Sequence, residues 1–134
     1  EEKIYPVCSP EMAKRLKVPS DMLNERILDL TGISDSWNYW ASQADQTDLE
    51  IIQRHYFSTF ALSLNMAREG RGISLGQSTL VESSIQRGDL VCPFELPVDG
   101  LDHYFLQQDL INTPHPNANN FVEWIVRKFS NECK

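Results

Sequence analysis

The sequence lacks the motifs by which common enzyme families are recognised. It offers no nucleophile elbow, and it contains no GxxxxGK[ST], GxGxxG or HExxH pattern of phosphate-loop, dinucleotide-binding or zinc-protease sites. Gly70-Arg71-Gly72 shares only its glycines with a phosphate loop. It follows a predicted helix and precedes a predicted strand, which reverses the order found in dinucleotide-binding units. The chain is therefore predicted not to be an enzyme.

Cysteine is scarce and scattered. Cys8, Cys92 and Cys133 are far apart, and no CxxC or Cys/His cluster accompanies them, so we predict no metal site and no cofactor. An odd number of widely spaced cysteines is typical of free thiols in a reducing compartment, which indicates a cytoplasmic protein. A small α/β enzyme that uses Cys8 or Cys92 stays open as an alternative, as does a catalytic pair of Cys8 with His55.

The chain also has few basic residues and few long hydrophobic runs. The 12 Lys and Arg residues are outnumbered by 19 Asp and Glu residues, giving a formal net charge of −7. Binding of nucleic acid by this segment is therefore not expected, because it needs a basic surface. No apolar run reaches the roughly 20 residues of a membrane-spanning helix, and no secretory signal is recognisable. What remains is one globular domain of 134 residues with 41% hydrophobic content.

Strand-like and helix-like segments alternate along the chain. This alternation predicts an α/β fold with a mostly parallel sheet flanked by helices. The predicted strands are residues 1–8, 27–30, 49–57, 73–75, 90–92 and 103–107. The predicted helices begin at Pro10, Pro19, Ser36, Thr59, Thr79 and Asn120, and residues 94–101 are predicted to be an extended connector.

Two tryptophans share one face of the helix that begins at Ser36. Trp37 and Trp40 are three positions apart, so their side chains project from the same side of a helix. Such a pair forms either an aromatic wall for a ligand or part of the hydrophobic core. The sequence favours the core and leaves the ligand wall open.

The most informative stretch is residues 57–75, which read FSTFALSLNMAREGRGISL. Here a strand leads into a helix that opens with Ser58 and Thr59, and a helix N-terminus presents free N–H groups and a positive dipole end that suit a small anion. Ligands of open α/β sheets bind where strands end and helices begin, which selects residues 56–59 and 76–79. The alternative is that Ser58 or Thr59 only caps its own helix.

An ordered set of segments resembles LysR-type transcriptional regulators, in particular the subgroup that includes the glycine-cleavage activator and the beta-lactamase-gene activator. These segments are PVCSPEM (residues 6–12), the Trp37/Trp40 pair, residues 57–75, RGDLVCPFELPV (residues 87–98), HYFLQQ (residues 103–108) and FVEW (residues 121–124).

The resemblance implies a fold like the lobes of periplasmic solute-binding proteins. Residues 5–102 would form the second lobe of an effector-binding domain. Residues 103–134 would form the strand and helix that return to the first lobe. The winged helix-turn-helix of the family, which binds DNA, and most of the first lobe would be absent from this chain.

The resemblance also implies a function: sensing an effector in a cleft between lobes. The helix start at Ser58 and Thr59 predicts that this effector is a small anionic metabolite. The effector-binding residues would be His55, Tyr56, Phe57, Ser58, Thr59, Gly76 and Gln77. The full-length protein would be a homo-oligomer, a dimer or tetramer, that contacts DNA only through the missing domain and contacts no membrane. The alternatives are a lobe of a transporter-associated solute-binding protein, or a segment that serves only dimer contacts through Trp124 or Phe129.

Overall fold

The computed structural model describes residues 2–32, 36–49, 53–100, 105–107 and 115–130. The chain divides into two compact units, Glu2–Leu101 and Asp102–Lys134. The first unit holds all the strands of the described sheet, and the second holds one described helix.

Helices and strands alternate in the first unit as the sequence predicts. In chain order they are β1 (Lys3–Val7), α1 (Pro10–Ala13), a short 3₁₀ helix (Pro19–Asn24), β2 (Ile27–Leu30), α2 (Ser36–Gln43), β3 (Arg54–Phe57), α3 (Phe60–Arg68), β4 (Ile73–Gln77), α4 (Ser78–Gln86) and β5 (Val98–Asp99). The last helix, α5 (Ala118–Ser130), belongs to the second unit.

Two predicted strands and the predicted connector differ from the structure. Residues 90–92 contribute only an isolated backbone bridge between Val91 and Cys8. The predicted connector contains β5, which pairs with β1. Residues 105–107 are not in a strand, and residues 103–104 of that prediction lie outside the described residues.

The five strands form one sheet in the order β3-β2-β4-β1-β5. Both β3 and β4 run parallel to β2, whereas β1 is antiparallel to its two neighbours, β4 and β5. Four strands therefore point the same way, and β1 alone is reversed. The predicted α/β class, with helices flanking a largely parallel sheet, is confirmed.

Two hydrophobic clusters cover the two faces of the sheet. One cluster contains side chains from α1, the 3₁₀ helix and α2, among them Met12, Met22, Trp37 and Trp40. The other contains side chains from α3 and α4 together with Leu28 of β2. The alternating side chains of each strand thus divide between an α2 face and an α3–α4 face.

The tryptophan pair belongs to the core. Trp37 and Trp40 are both fully buried, and their ring centroids lie 5.8 Å apart in an edge-to-face arrangement. Each indole N–H is satisfied, since Trp37 donates to the Leu28 carbonyl at 3.1 Å and Trp40 donates to the Leu96 carbonyl at 3.0 Å. No face of either ring is left for a ligand, so the core interpretation is correct.

Helix α5 is amphipathic and keeps large apolar side chains exposed. Phe121, Trp124 and Phe129 are each 43% exposed or more. The Lys128 ammonium lies 5.5 Å from the Trp124 ring centroid. Among the described residues, no helix is both long enough and apolar enough to cross a membrane.

Candidate functional site

Three parallel strands end together at one edge of the sheet, which we call the carboxyl edge. Strands β2, β3 and β4 end there at Leu30, Phe57 and Gln77. Helices α2, α3 and α4 follow them, so the positive dipole ends of three helices face the same edge. Because β1 is reversed, it begins at this edge, where Ile4 pairs with Gln77. Because helix N-termini favour anions in general, this edge is the candidate position for an anionic ligand.

The N-terminus of α3 is exposed and already capped. Thr59 is the N-cap residue, and its hydroxyl oxygen accepts a hydrogen bond from the Leu62 N–H at 3.3 Å. Ser58, one position earlier, is exposed. The Phe57 carbonyl accepts from the backbone N–H of Thr31 at 2.9 Å and from its hydroxyl at 3.2 Å. Thr59 therefore caps its own helix, while Ser58 presents its hydroxyl to solvent.

The predicted residues of β3 divide between the two faces of the sheet. Tyr56 pairs with Asp29 and lies on the α2 face, with 62% of its surface exposed. His55 and Phe57 lie on the α3–α4 face, where Phe57 packs against the second hydrophobic cluster and His55 is exposed. The predicted residues of β3 therefore cannot all line one side of a binding site, because successive side chains of a strand point to opposite faces of the sheet.

The two predicted segments are separated by a strand. Since β2 lies between β3 and β4, the ends of β3 and β4 are about 10 Å apart at ordinary strand spacing. Gly76 is buried, and a Cβ atom there would lie 2.9 Å from a methyl group of Val7. Gln77 is half-buried at the N-cap position of α4, and its side chain makes no capping hydrogen bond. The centre of the edge is therefore the end of β2.

A buried ion pair next to β2 is a feature that sequence reasoning missed. The carboxylate of Asp29 accepts from the Ser36 hydroxyl at 3.0 Å and from the Leu30 N–H at 2.8 Å. Its other oxygen lies 3.2 Å from the Arg54 guanidinium, and these side chains are 3% and 10% exposed. Arg54 also donates to the Asn38 amide oxygen. This network joins the first turn of α2 to β2 and β3. The only signal was an acidic residue in an otherwise apolar strand, ILDL.

A second missed feature lies at the N-terminus of α4. The carboxylate of Glu2 accepts hydrogen bonds from the Ser78 hydroxyl and the Thr79 N–H, both at 3.0 Å, and from the Thr79 hydroxyl. Glu2 is only 7% exposed. The N-terminus of α4 thus binds a carboxyl group of the protein itself, that of Glu2, the residue just before β1. The sequence carried no local signal for this contact.

The predicted absence of enzyme motifs is wrong in one respect: residues 72–76 read GISLG, which matches the GxSxG motif of serine hydrolases. A nucleophile elbow places its serine on an exposed turn between strand and helix. Ser74 instead lies inside β4, is 2% exposed, and its hydroxyl is hydrogen-bonded to that of Ser63 at 2.7 Å. The pattern is therefore not an elbow.

The described cysteines are poorly suited to catalysis. Burial raises the pKa of Cys8 to about 12, and burial also raises the pKa of Cys92. A raised pKa keeps the thiol protonated near neutral pH, whereas the thiolate is the nucleophile. Cys133 lies outside the described residues. Within the described part of the chain, no group of three or more His, Cys, Asp or Glu side chains is placed to hold a metal ion.

Thiol labelling tests this description of Cys8. At pH 8 we expect Cys8 to react with a chromogenic disulfide reagent at least about 100-fold more slowly than a free thiol, because it is buried and protonated. In 6 M guanidinium chloride the protection should disappear. A Cys8→Ser variant identifies which signal is lost. Rapid labelling of Cys8 in the folded chain would contradict the prediction and would reopen the thiol-enzyme alternative.

Comparison with known proteins gives a family match over nearly the whole chain. The model of the LysR substrate binding domain matches residues 1–130. The glycine cleavage system transcriptional activator of Escherichia coli K12 is 28% identical over 134 residues, covering 98% of this chain and 44% of that protein. The HTH-type transcriptional activator AmpR of Citrobacter koseri is 28% identical over 127 residues, covering 95% and 43%. The chain thus spans less than half the length of these relatives.

Solved structures match the fold. The effector domain of the transcriptional regulator AmpR of Pseudomonas aeruginosa superposes with a TM-score of 0.79 at 22% identity, covering 98% of this chain and 64% of that one. The AmpR effector binding domain from Citrobacter freundii gives 0.77 at 20% identity, with 96% and 64% covered. These matches confirm the predicted lobe-type α/β fold.

Proposed function

Because the chain belongs to the LysR substrate-binding domain family, matched over residues 1–130, we propose that it is the C-terminal part of the effector-binding domain of a transcriptional regulator. The matched relatives are regulators, so the transporter alternative gains no support, and they give no reason to assign an enzymatic activity. In this proposal the full-length protein is a cytoplasmic homodimer or homotetramer. It contacts DNA through a winged helix-turn-helix that is not in this chain.

We further propose that residues 5–102 are the second lobe and that residues 103–134 return to the first. The division of the chain between Leu101 and Asp102 supports this assignment. Effector occupancy would then favour one arrangement of the lobes over another. A regulator transmits such a preference to its DNA contacts when the two arrangements differ in affinity for the effector.

The proposed effector is a small anionic metabolite that binds at the carboxyl edge. The observation that carries this proposal is the exposed start of α3, where Ser58 precedes the N-cap Thr59. The positive end of a helix dipole favours an anion there. The remaining predicted contacts are His55, Tyr56, Phe57, Gly76 and Gln77.

Substitution at the start of α3 tests the site. A panel of small carboxylates and phosphate esters is first screened by thermal shift on the full-length protein. For the compound that binds, we expect Ser58→Ala to weaken affinity by about 10- to 150-fold by calorimetry, because a hydrogen bond to a charged group contributes about 1.5–3 kcal/mol. Thr59→Ala should weaken it similarly and also lower stability by about 1 kcal/mol through loss of the cap.

Ser83→Ala is the matched control, because Ser83 is an exposed serine in the middle of α4. It should leave the affinity unchanged. Equal affinities for wild type, Ser58→Ala and Thr59→Ala would exclude the start of α3 as the binding site. Gel-shift titration tests the wider proposal: full-length protein that binds no DNA near its own gene, with or without the compound, would contradict a regulatory function.

A further inference from the structure

The start of α4 is occupied by the protein itself. Two oxygens of the Glu2 carboxylate accept three hydrogen bonds from Ser78 and Thr79, one of them from the backbone N–H of Thr79. That N–H is among the groups a helix leaves free for an anion. The backbone N–H of Lys3 adds a hydrogen bond to the Ser78 hydroxyl at 3.1 Å, which fixes this hydroxyl in place.

The backbone holds Glu2 in position for this contact. Its carbonyl accepts a hydrogen bond from the Gly100 N–H at 2.8 Å, and the following residues of β1 pair with β5. Gly100 leaves room for the side chain, since a Cβ atom there would lie 3.2 Å from the Glu2 Cγ. A side chain held in this way loses little further conformational freedom when it binds, so it competes well with a ligand from solution.

The carboxyl group of Glu2 is hydrogen-bonded by the first turn of α4. Among the partners described for its carboxylate, all are hydroxyl groups or the N–H of the first turn of α4. The neighbouring cation, Lys3, forms an ion pair with the exposed Asp99. A carboxyl group that is 7% exposed has lost most of its contact with water, and the start of α4 provides hydrogen bonds in its place.

We propose that Glu2 is an internal ligand of α4, and that it determines where on the carboxyl edge an anionic effector binds. With Glu2 in place, a second anion at Gln77 or Ser78 would lie next to a carboxylate, and the Thr79 N–H and the hydroxyls of Ser78 and Thr79 already donate to that carboxylate. The effector's anionic group is thereby directed to the exposed start of α3. This part of the inference rests on the proposed function, whereas the internal-ligand contact does not.

Chemical rescue tests the internal ligand. Glu2→Ala removes the carboxylate and leaves a space that an acetate ion fits. We expect the variant to melt at a lower temperature than wild type, and acetate at millimolar concentrations to restore part of the loss in a saturable manner. Chloride at the same ionic strength should not do so. Glu95→Ala, the loss of an exposed glutamate, is the matched control and should show no acetate response.

Glu2→Gln separates the internal ligand from a general effect of acetate. The amide fills the same space, so acetate should not raise its melting temperature. The same acetate response in Glu2→Gln or in wild type would overturn the proposal, as would its absence in folded Glu2→Ala. If Glu2→Ala is unfolded in chloride, the titration is run as a refolding experiment. Recovery in acetate alone supports the proposal, and no recovery in acetate overturns it.

These measurements use stability and acetate, without DNA or effector. Their failure would therefore leave the regulatory proposal in place, while failure of the gel-shift test would leave the internal ligand in place.

Discussion

Replacement of Trp37 by alanine is expected to lower the free energy of unfolding by about 3–5 kcal/mol. The side chain is fully buried, packs edge-to-face on Trp40, and donates to the Leu28 carbonyl in the middle of the sheet. Alanine would leave a large cavity and would remove the donor from a buried carbonyl. Since small domains are stable by only about 5–15 kcal/mol, this change removes a large part of the total.

Urea unfolding followed by far-UV circular dichroism measures the loss. Trp124→Ala is the control, because Trp124 is 56% exposed on α5 and its loss should change stability by less than about 1 kcal/mol. If the free energy of unfolding falls by the same amount in both variants, Trp37 does not have the core position described for it.

Asp29→Ala is the second change with a large expected effect, also about 3–5 kcal/mol. It removes the Asp29 carboxylate from beside the Arg54 guanidinium, whose side chain is 10% exposed. It also removes the acceptor for the Ser36 hydroxyl at the start of α2. Removal of one member of a buried ion pair is more destabilising than removal of both, because the buried charge that remains loses the compensation its partner gave.

A double-mutant cycle tests this explanation. Replacing Arg54 by methionine in the Asp29→Ala background should recover part of the stability, since no charge then remains buried. Asp89→Ala is the control, because its ion pair with Arg87 is exposed on both sides (58% and 43%) and should contribute about 0–1 kcal/mol. If Asp29→Ala lowers the free energy of unfolding by no more than the control does, the buried ion pair of Asp29 and Arg54 does not stabilise the junction of α2 with β2 and β3.

Local features of the chain were predicted well because their causes are local. Helix α3 follows its N-cap Thr59, and the chain turns after it at Gly70, whose φ is 68°. Both signals lie within a few residues of the helix ends, so the sequence places them. The apolar run of β2 and the tryptophan face of α2 were found for the same reason.

Strand order could not be predicted, because it depends on pairing between distant residues. Nothing near Ile27–Leu30 indicates that this strand lies between β3 and β4, yet that position separates the two predicted halves of the site. Strand β5 has only two residues and no periodicity. It is recognised by its pairing with β1.

The same limit applies to the candidate site. Helix starts at the carboxyl edge were predicted from residues that are adjacent in sequence. The residues from distant parts of the chain that bond to groups at these helix starts were not predicted. Glu2 lies 77 residues from Thr79, and Arg54 lies 25 residues from Asp29. Those contacts exist only after the sheet has formed, so no window along the sequence contains them.

The reversed strand β1 also has a consequence for synthesis on the ribosome. It is made before the other four strands of the sheet, but it lies inside the sheet between β4 and β5, and Lys3 forms an ion pair with Asp99, 96 residues later. At about 5–20 residues per second, β1 waits roughly 5–20 s for its last partner. Pairing over such separations raises the contact order and slows folding. The sheet is not complete until β5 has emerged, so the edge of β1 that pairs with β5 stays unpaired throughout that interval.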